Sequence, residues 1–200
     1  MITGIILASG FSFRMKKDKL LLKVDKEYII EKLIKEVKKS ELDEVLLIFR
    51  SEEVGKIGEK HGIKTVYNEK AYLGQSESLK LGIMHSNINS EAFMFLVGDQ
   101  PFLDSSTINK LLFEYRNTPQ NIIVPCYGNN RGNPTIFPSV FKGDLLKIEG
   151  DIGGRLVMEK YPYLIRQIYI ENERIGLDID TSMSYENMKN IIKKVFNEDS

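Results

Sequence analysis

The feature that most restricts the fold is an alternation, through the first half of the chain, of short apolar runs with segments of helical period. Ile2–Ala8 is apolar apart from Thr3 and Gly4, the pattern of a strand buried on both faces. Tyr28–Lys39 then places Ile29, Ile30, Leu33, Ile34 and Val37 at helical spacing, with lysines and glutamates between them. Glu44–Phe49 reads as a strand, Ser51–Lys60 as a short helix, Ile63–Tyr67 as a strand and Gln75–Ser86 as a helix. Ala92–Val97 is the most apolar strand, and Ser105–Tyr115 is a helix opened by the capping residues Asp104-Ser105-Ser106. Beyond it, Asn121–Cys126 and Pro134–Pro138 read as strands and Asp151–Lys160 as a helix. Leu164–Ile170 and Ile175–Ile179 read as late strands, and Tyr185–Phe196 as a closing helix. Parallel strands need crossover connections, usually helices, so the alternation predicts an α/β fold with a mostly parallel sheet covered on both faces. With no repeat, low-complexity tract or Pro/Gly-rich linker, residues 1–200 are expected to form a single domain.

Open sheets of this kind bind ligands beyond the C-terminal ends of their strands, so polar clusters at those ends are the candidates. The first follows the opening strand in "GIILASGFSFRMKKDK", where Arg14, Lys16, Lys17 and Lys19 crowd together. The whole chain has 28 basic and 28 acidic residues, which argues against a general nucleic-acid binder or a membrane-surface protein. Any polyanion site is therefore local. Ala8, Ser9 and Gly10 put little bulk between backbone N–H groups and a ligand. Arg14 offers a planar fork for phosphate, and Lys19 a point charge. The stretch fits neither G-x-x-x-x-G-K-[ST] nor G-x-G-x-x-G, and taken alone it reads slightly better as a solvated turn.

The second cluster is "GQSESLKLGI", where Gly74 precedes Ser76 and Ser78 at a helix start whose free N–H groups point outward. Ordinary capping accounts for one of the two serines. In the third, "FMFLVGDQP", Asp99 follows a wholly apolar strand with no Lys or Arg within ten positions. A carboxylate so placed is costly to keep charged without a cation, which favours a divalent-metal ligand over a turn cap. The fourth is "GLDIDTS". On a strand Asp178 and Asp180 share one face, roughly 6.6 Å apart at a rise of about 3.3 Å per residue. Mg²⁺, which takes a few carboxylates together with substrate phosphates, suits that pair, while Asp180 or Thr181 could instead cap the last helix.

Other chemistries find little support. The one cysteine, Cys126, rules out an internal disulfide and fits a reducing cytoplasm. A single cysteine with His61 and His85 far apart gives no zinc pattern, and there is no G-x-S-x-G elbow. The start lacks the features of a signal peptide, and no apolar run approaches the roughly 20 residues of a membrane helix. A soluble, cytoplasmic protein is expected.

Taken in order, the clusters resemble the molybdenum cofactor cytidylyltransferases, within the MobA-like nucleotidyltransferases. The opening L-A-x-G-x-S-x-R-M-G-x-x-K is matched by Leu7, Ala8, Gly10, Ser12, Arg14, Met15 and Lys19. Gly98, Asp99, Gln100 and Pro101 reproduce G-D-Q-P. Pro125, Tyr127, Arg131, Gly132 and Pro134 nearly reproduce P-x-Y-x-G-x-R-G-H-P, and Gly150, Asp151, Gly153, Gly154 and Arg155 reproduce G-D-x-G-[AG]-R. The late D-I-D-T-P is matched through Thr181. Lys16, Asn133 and Ser182 depart from the glycine, histidine and proline of these motifs, and G-Q-S-E-S replaces G-M-S-x-S.

The resemblance implies a Rossmann-like, GT-A-type nucleotidyltransferase fold and transfer of CMP from CTP to a molybdopterin-type cofactor, releasing pyrophosphate. It implies a nucleotide site of Leu7, Ala8, Ser9, Gly10, Arg14, Lys19, Gly74, Ser76 and Ser78, with Arg14, Lys19 and Asp99 in the chemistry. Mg²⁺ would be held by Asp99 with Asp180 or Asp178. Arg131, Asn133, Asp151 and Arg155 would hold the acceptor, and Asn133 cannot supply the positive charge a histidine can. The implied recipient of the product is a molybdenum hydroxylase or its insertion chaperone, with no nucleic acid or membrane involved. Three alternatives stand beside this reading: a guanylyltransferase of the same cofactor, a sugar- or polyol-phosphate cytidylyltransferase, and an inactive nucleotide-binding regulatory module. Ser9, where the guanylyl relatives usually carry glycine, narrows the base pocket and leans towards a pyrimidine.

Overall fold

The computed structural model describes residues 1–11, 18–24, 26–179, 181, 183 and 185–186. In chain order its strands are Ile2–Ala8 (β1), Lys23–Val24 (β2), Glu27–Tyr28 (β3), Glu44–Phe49 (β4), Lys64–Tyr67 (β5), Ala92–Val97 (β6), Ile122–Tyr127 (β7), Asn130–Arg131 (β8), Thr135–Pro138 (β9) and Ile165–Ile170 (β10). The α-helices are Ile29–Lys39 (α1), Glu52–Lys60 (α2), Gln75–His85 (α3), Ser105–Asn117 (α4), Lys142–Leu145 (α5) and Arg155–Lys160 (α6). One sheet has the order β10-β7-β9-β6-β1-β4-β5, with β8 paired to the end of β7, and β2–β3 is a separate small hairpin.

The central strand β1 pairs in parallel with β4 and β6, so that Ile6 lies beside both Leu47 and Leu96. β5 continues in parallel on β4, and β10 runs parallel to β7. Among the described strands of this sheet only β8 and β9 oppose their neighbours: β9 inserts antiparallel between β6 and β7 after β8 folds back on β7. The expected mostly parallel α/β sheet is thus present, with its irregularity in the second half.

Alternation along β1 sorts the core into two layers. Ile2 and Ile6 join Leu33, Ile34 and Val37 of α1 and Ile108, Leu111 and Leu112 of α4 on one face. Ile5 joins Leu79 and Ile83 of α3, Leu145 of α5 and Val157 of α6 on the other. Asp104 opens α4 as its side chain accepts from Thr107 N at 2.7 Å, satisfying one of the free N–H groups of the first turn. Among the described residues no helix is long and apolar enough to cross a membrane.

Two expected elements differ. The helix expected over Asp151–Lys160 begins only at Arg155, because Gly150 is left-handed (φ 74°) and the Asp151 carboxylate is used by another helix. The strand expected over Ile175–Ile179 is not formed. Asn172 accepts from Arg174 N and starts a 3-10 turn over Glu173–Gly176, which buries Ile175. Ile179 then packs with Val24 and Ile29. Asp178 therefore does not lie on a strand, and Asp180, its expected partner, lies outside the described residues. Of the closing helix expected over Tyr185–Phe196, only Tyr185 and Glu186 are described.

Candidate active site

Because β1, β4, β5 and β6 run in parallel, their C-terminal ends reach one edge, and a cavity of about 600 Å³ opens there. Leu7 to Phe11 from the end of β1, Lys19, Gly74, Ser78 and the Gly98-Asp99 end of β6 line it, with Tyr72 and Leu73 on its rim. The side chains of Lys19 and Asp99 form an ion pair, each less than a fifth exposed. The sequence around Asp99 is free of cations, but the fold supplies one from 80 positions earlier. Lys19 opens a 3-10 turn, Lys19–Leu21, whose preceding residue Asp18 caps it by accepting from Leu20 N at 3.1 Å.

Beneath the cavity lies a buried polar network. The Ser9 and Ser78 hydroxyls hydrogen-bond each other, and Asn68 at the end of β5 donates from Nδ2 to both, at 3.1 Å each. All three side chains are at least 95% buried, which fixes the Ser9 side chain in the cavity floor. Ser76 behaves differently from the serine two positions on. It is fully buried and lines neither cavity, and its Oγ has no hydrogen-bond partner among the described residues.

The N–H groups at the start of α3 do not all point to open space as the sequence suggests. Gln75 N donates to Asp151 Oδ1 at 3.2 Å and Ser76 N to the Gly150 carbonyl at 3.1 Å. Gly74 makes this seam possible. Its φ is +105°, and a Cβ there would run into the backbone of Gly150 and Asp151.

On the far side of the seam a second cavity, of about 840 Å³, lies between β7, β8 and α6. Arg131, Asn133, Asp151 and Arg155 all line it, and it shares Leu7, Gln75 and Asp151 with the first. Both arginines are exposed. Arg155 Nε donates to Glu159 at 2.9 Å, whereas Arg131 Nη2 lies 2.8 Å from the side-chain amide of Gln167, whose oxygen can accept from it once turned that way. Behind Arg131, burial pushes the Cys126 thiol pKa up, and it pushes the Tyr127 hydroxyl up further, with help from the Asp178 charge.

Of the residues expected to bind nucleotide, Leu7, Ala8, Ser9, Gly10, Lys19, Gly74 and Ser78 meet at the first cavity. Arg14 lies outside the described residues. The acids expected at a metal are partly traceable: Ile179 N donates to the Asp99 carbonyl at 3.3 Å, so the segment carrying exposed Asp178 runs beside the end of β6. Among the described residues no three His, Cys, Asp or Glu side chains cluster as a complete metal site. The oxygen donors near Asp99, with no thiol or imidazole lining the cavity, nonetheless suit a hard cation that completes its shell with phosphate and water. The strand-end reasoning passed over Asn68, Arg50 and Gln75. A polar residue directly after β4 or β5 was the available signal for the first two.

The profile described as MobA-like NTP transferase domain matches residues 4–165. The chain is 26% identical over 195 residues to the probable molybdenum cofactor guanylyltransferase of Thermococcus sibiricus, covering 96% of each chain. It is 29% identical over 126 residues to the 3-deoxy-manno-octulosonate cytidylyltransferase of Rickettsia felis. That match takes in 61% of this chain and 50% of the relative, so it spans about half the relative's length. A nucleotidyl transferase from Methanothermobacter thermautotroptrophicus superposes with a TM-score of 0.84 at 19% identity, over 98% of this chain and 99% of the other, which is a likeness of fold.

Proposed function

The chain belongs to the MobA-like NTP transferase family, and from that premise we propose that it moves a nucleotidyl group between two adjoining sites. The first cavity would hold a nucleoside triphosphate and the second an acceptor ending in a phosphate. The observation that carries this reading is the junction: two cavities of about 600 and 840 Å³ that share Leu7, Gln75 and Asp151. Each is of a size suited to a small-molecule ligand.

In the proposed reaction an oxygen of the acceptor phosphate attacks the α-phosphorus of the nucleotide, and the bond from that phosphorus to the bridging oxygen breaks in line. Pyrophosphate leaves with the electron pair. No protein nucleophile is required, so positioning and charge stabilisation are the protein's contribution. Lys19 moves from Asp99 to the phosphates and stabilises the charge gathering on the leaving group. Asp99, released, is available as a ligand to a divalent cation, with a second acid from the 178–180 segment. Such a cation, when bound, neutralises phosphate charge. Arg131 and Arg155 orient the acceptor phosphate, and Asn133 adds an uncharged hydrogen-bonding group.

The substrates we propose are CTP and a molybdopterin-type cofactor. What supports CTP is Ser9, whose side chain, held in the floor by Ser78 and Asn68, would narrow the base pocket against a purine. A second reading, GTP as donor, is favoured by the near full-length similarity to a probable guanylyltransferase. Pyrophosphate release with each of four nucleoside triphosphates, with and without molybdopterin, tests both. Release with CTP that depends on molybdopterin is expected. Release with GTP alone among the four supports the second reading, and no release with any of them removes both.

A further inference from the structure

We infer that Arg50 is a positioning residue that ties Phe11, beyond the end of β1, to Asp18, which caps the turn opened by Lys19, and so sets where Lys19 meets the triphosphate. The inference rests on the nucleotide reading of the first cavity. Arg50 directly follows β4, the parallel neighbour of β1, so its side chain rises at the same sheet edge. Its guanidinium carbon sits 4.4 Å from the centroid of the Phe11 ring, within cation–π range, and Phe11 lines the cavity. On the other side Arg50 Nη2 lies 3.8 Å from Asp18 Oδ2, and Asp18 caps the turn that Lys19 opens. Phe11 and Asp18 flank residues 12–17, so one planar cation touches the chain where that segment begins and where it ends.

The guanidinium does not line the cavity itself. Among the described residues its buried Nε has no hydrogen-bond partner, and the contacts they give the guanidinium are the ring and the carboxylate. Arginine suits both contacts at once, since its flat face stacks on an aromatic ring while its edge meets a carboxylate. A lysine keeps the charge for Asp18 but not the stacking face. The chain of contacts therefore runs from Arg50 to Asp18, to the capped turn, to Lys19 and to Asp99.

A residue that acts only through Lys19 should lose its effect when Lys19 is gone. Calorimetric titration with inorganic tripolyphosphate, which needs neither the base nor the acceptor, is run on the wild type, Arg50→Met, Lys19→Ala and the double variant. Arg50→Met is expected to weaken binding about tenfold in the wild-type background, as misplacement of a binding group does, and less than about twofold beside Lys19→Ala. Arg50→Lys should recover part of the loss. If Arg50→Met does not fold by circular dichroism, Asp18→Asn removes the other end of the clamp and should show the same coupling to Lys19. An unchanged affinity in Arg50→Met, or equal losses in both backgrounds, would overturn the inference, the second because Arg50 would then grip the anion directly. Failure of the wild type to bind either tripolyphosphate or any nucleoside triphosphate would instead remove the nucleotide reading, and this role with it.

Discussion

The two cavities are neighbours, yet they are built on opposite plans. The first sits at the ends of parallel strands, and its charges already neutralise each other as the Lys19–Asp99 pair. The second sits where β8 and β9 break the parallel order, and its arginines are exposed, one of them beside the neutral amide of Gln167. The difference teaches where ligand binding must rearrange partners. An anion entering the second cavity finds in Arg131 a cation with no carboxylate paired to it among the described residues. An anion entering the first must take Lys19 from Asp99, which leaves a poorly solvated carboxylate that then requires another cation. Nucleotide and divalent cation should therefore bind the first cavity cooperatively, and the acceptor should bind the second independently of the cation.

The largest effects should come from breaking the pair. Lys19→Ala is expected to slow pyrophosphate release by roughly 10²–10³ while leaving the melting temperature within a few degrees, since it removes a stabiliser of developing charge. Asp99→Asn should also nearly abolish turnover, but in binding it should act in the opposite direction. With the Asp99 charge removed from the cavity, metal-free CTP should bind more tightly than to the wild type, by about tenfold, and added Mg²⁺ should change little. Calorimetry with and without chelator reads both. Weaker metal-free binding in Asp99→Asn would break the contrast between the cavities.

Next in size is the seam that joins them. Gly74→Ala adds a Cβ against the Gly150–Asp151 backbone at a left-handed residue, and should cost about 2 kcal/mol of stability by denaturant titration. Unlike the other substitutions it should raise the KM for donor and acceptor together. A smaller, one-sided effect is expected for Arg131→Ala: an acceptor KM raised about tenfold with CTP affinity unchanged, as suits loss of one charge-assisted contact. A matching fall in CTP affinity would mean that the cavities do not divide the substrates. The smallest effect concerns Cys126, whose thiolate is disfavoured by burial. Alkylation of the folded protein near neutral pH should be much slower than of a free thiol and should quicken as pH rises towards its raised pKa. Rapid modification at pH 7 would show that the floor behind Arg131 is open.

The contrast also separates what was legible in the chain from what was not. β1, β4 and β6 could be read almost to the residue, because strands buried on both faces leave continuous apolar runs. The rule that ligands gather at strand ends led to Lys19, Ser9 and Asp99. It could not pair Lys19 with Asp99, since nothing local records a contact between residues 80 positions apart. Applied to every strand, the same rule would have found Asn68 after β5 and Arg50 after β4. Both Ser76 and Ser78 are buried, and that only Ser78 reaches Ser9 and the cavity depends on contacts across the fold that two serines at i and i+2 do not reveal. The strand expected over Ile175–Ile179 was lost to a side-chain cap at Asn172, a local hydrogen bond that competes with sheet pairing. In the second cavity Arg131, Asn133, Asp151 and Arg155 could be grouped from motif order, but that Asp151 also caps α3 could not.

A crystal structure of the protein with a non-hydrolysable CTP analogue and Mg²⁺ tests the division of labour between the cavities most directly. The expected result is a triphosphate beside Lys19, with the Lys19–Asp99 pair opened and the cytosine over the Ser9–Ser78–Asn68 floor. A triphosphate seated instead between Arg131 and Arg155, with Lys19 still on Asp99, would contradict it.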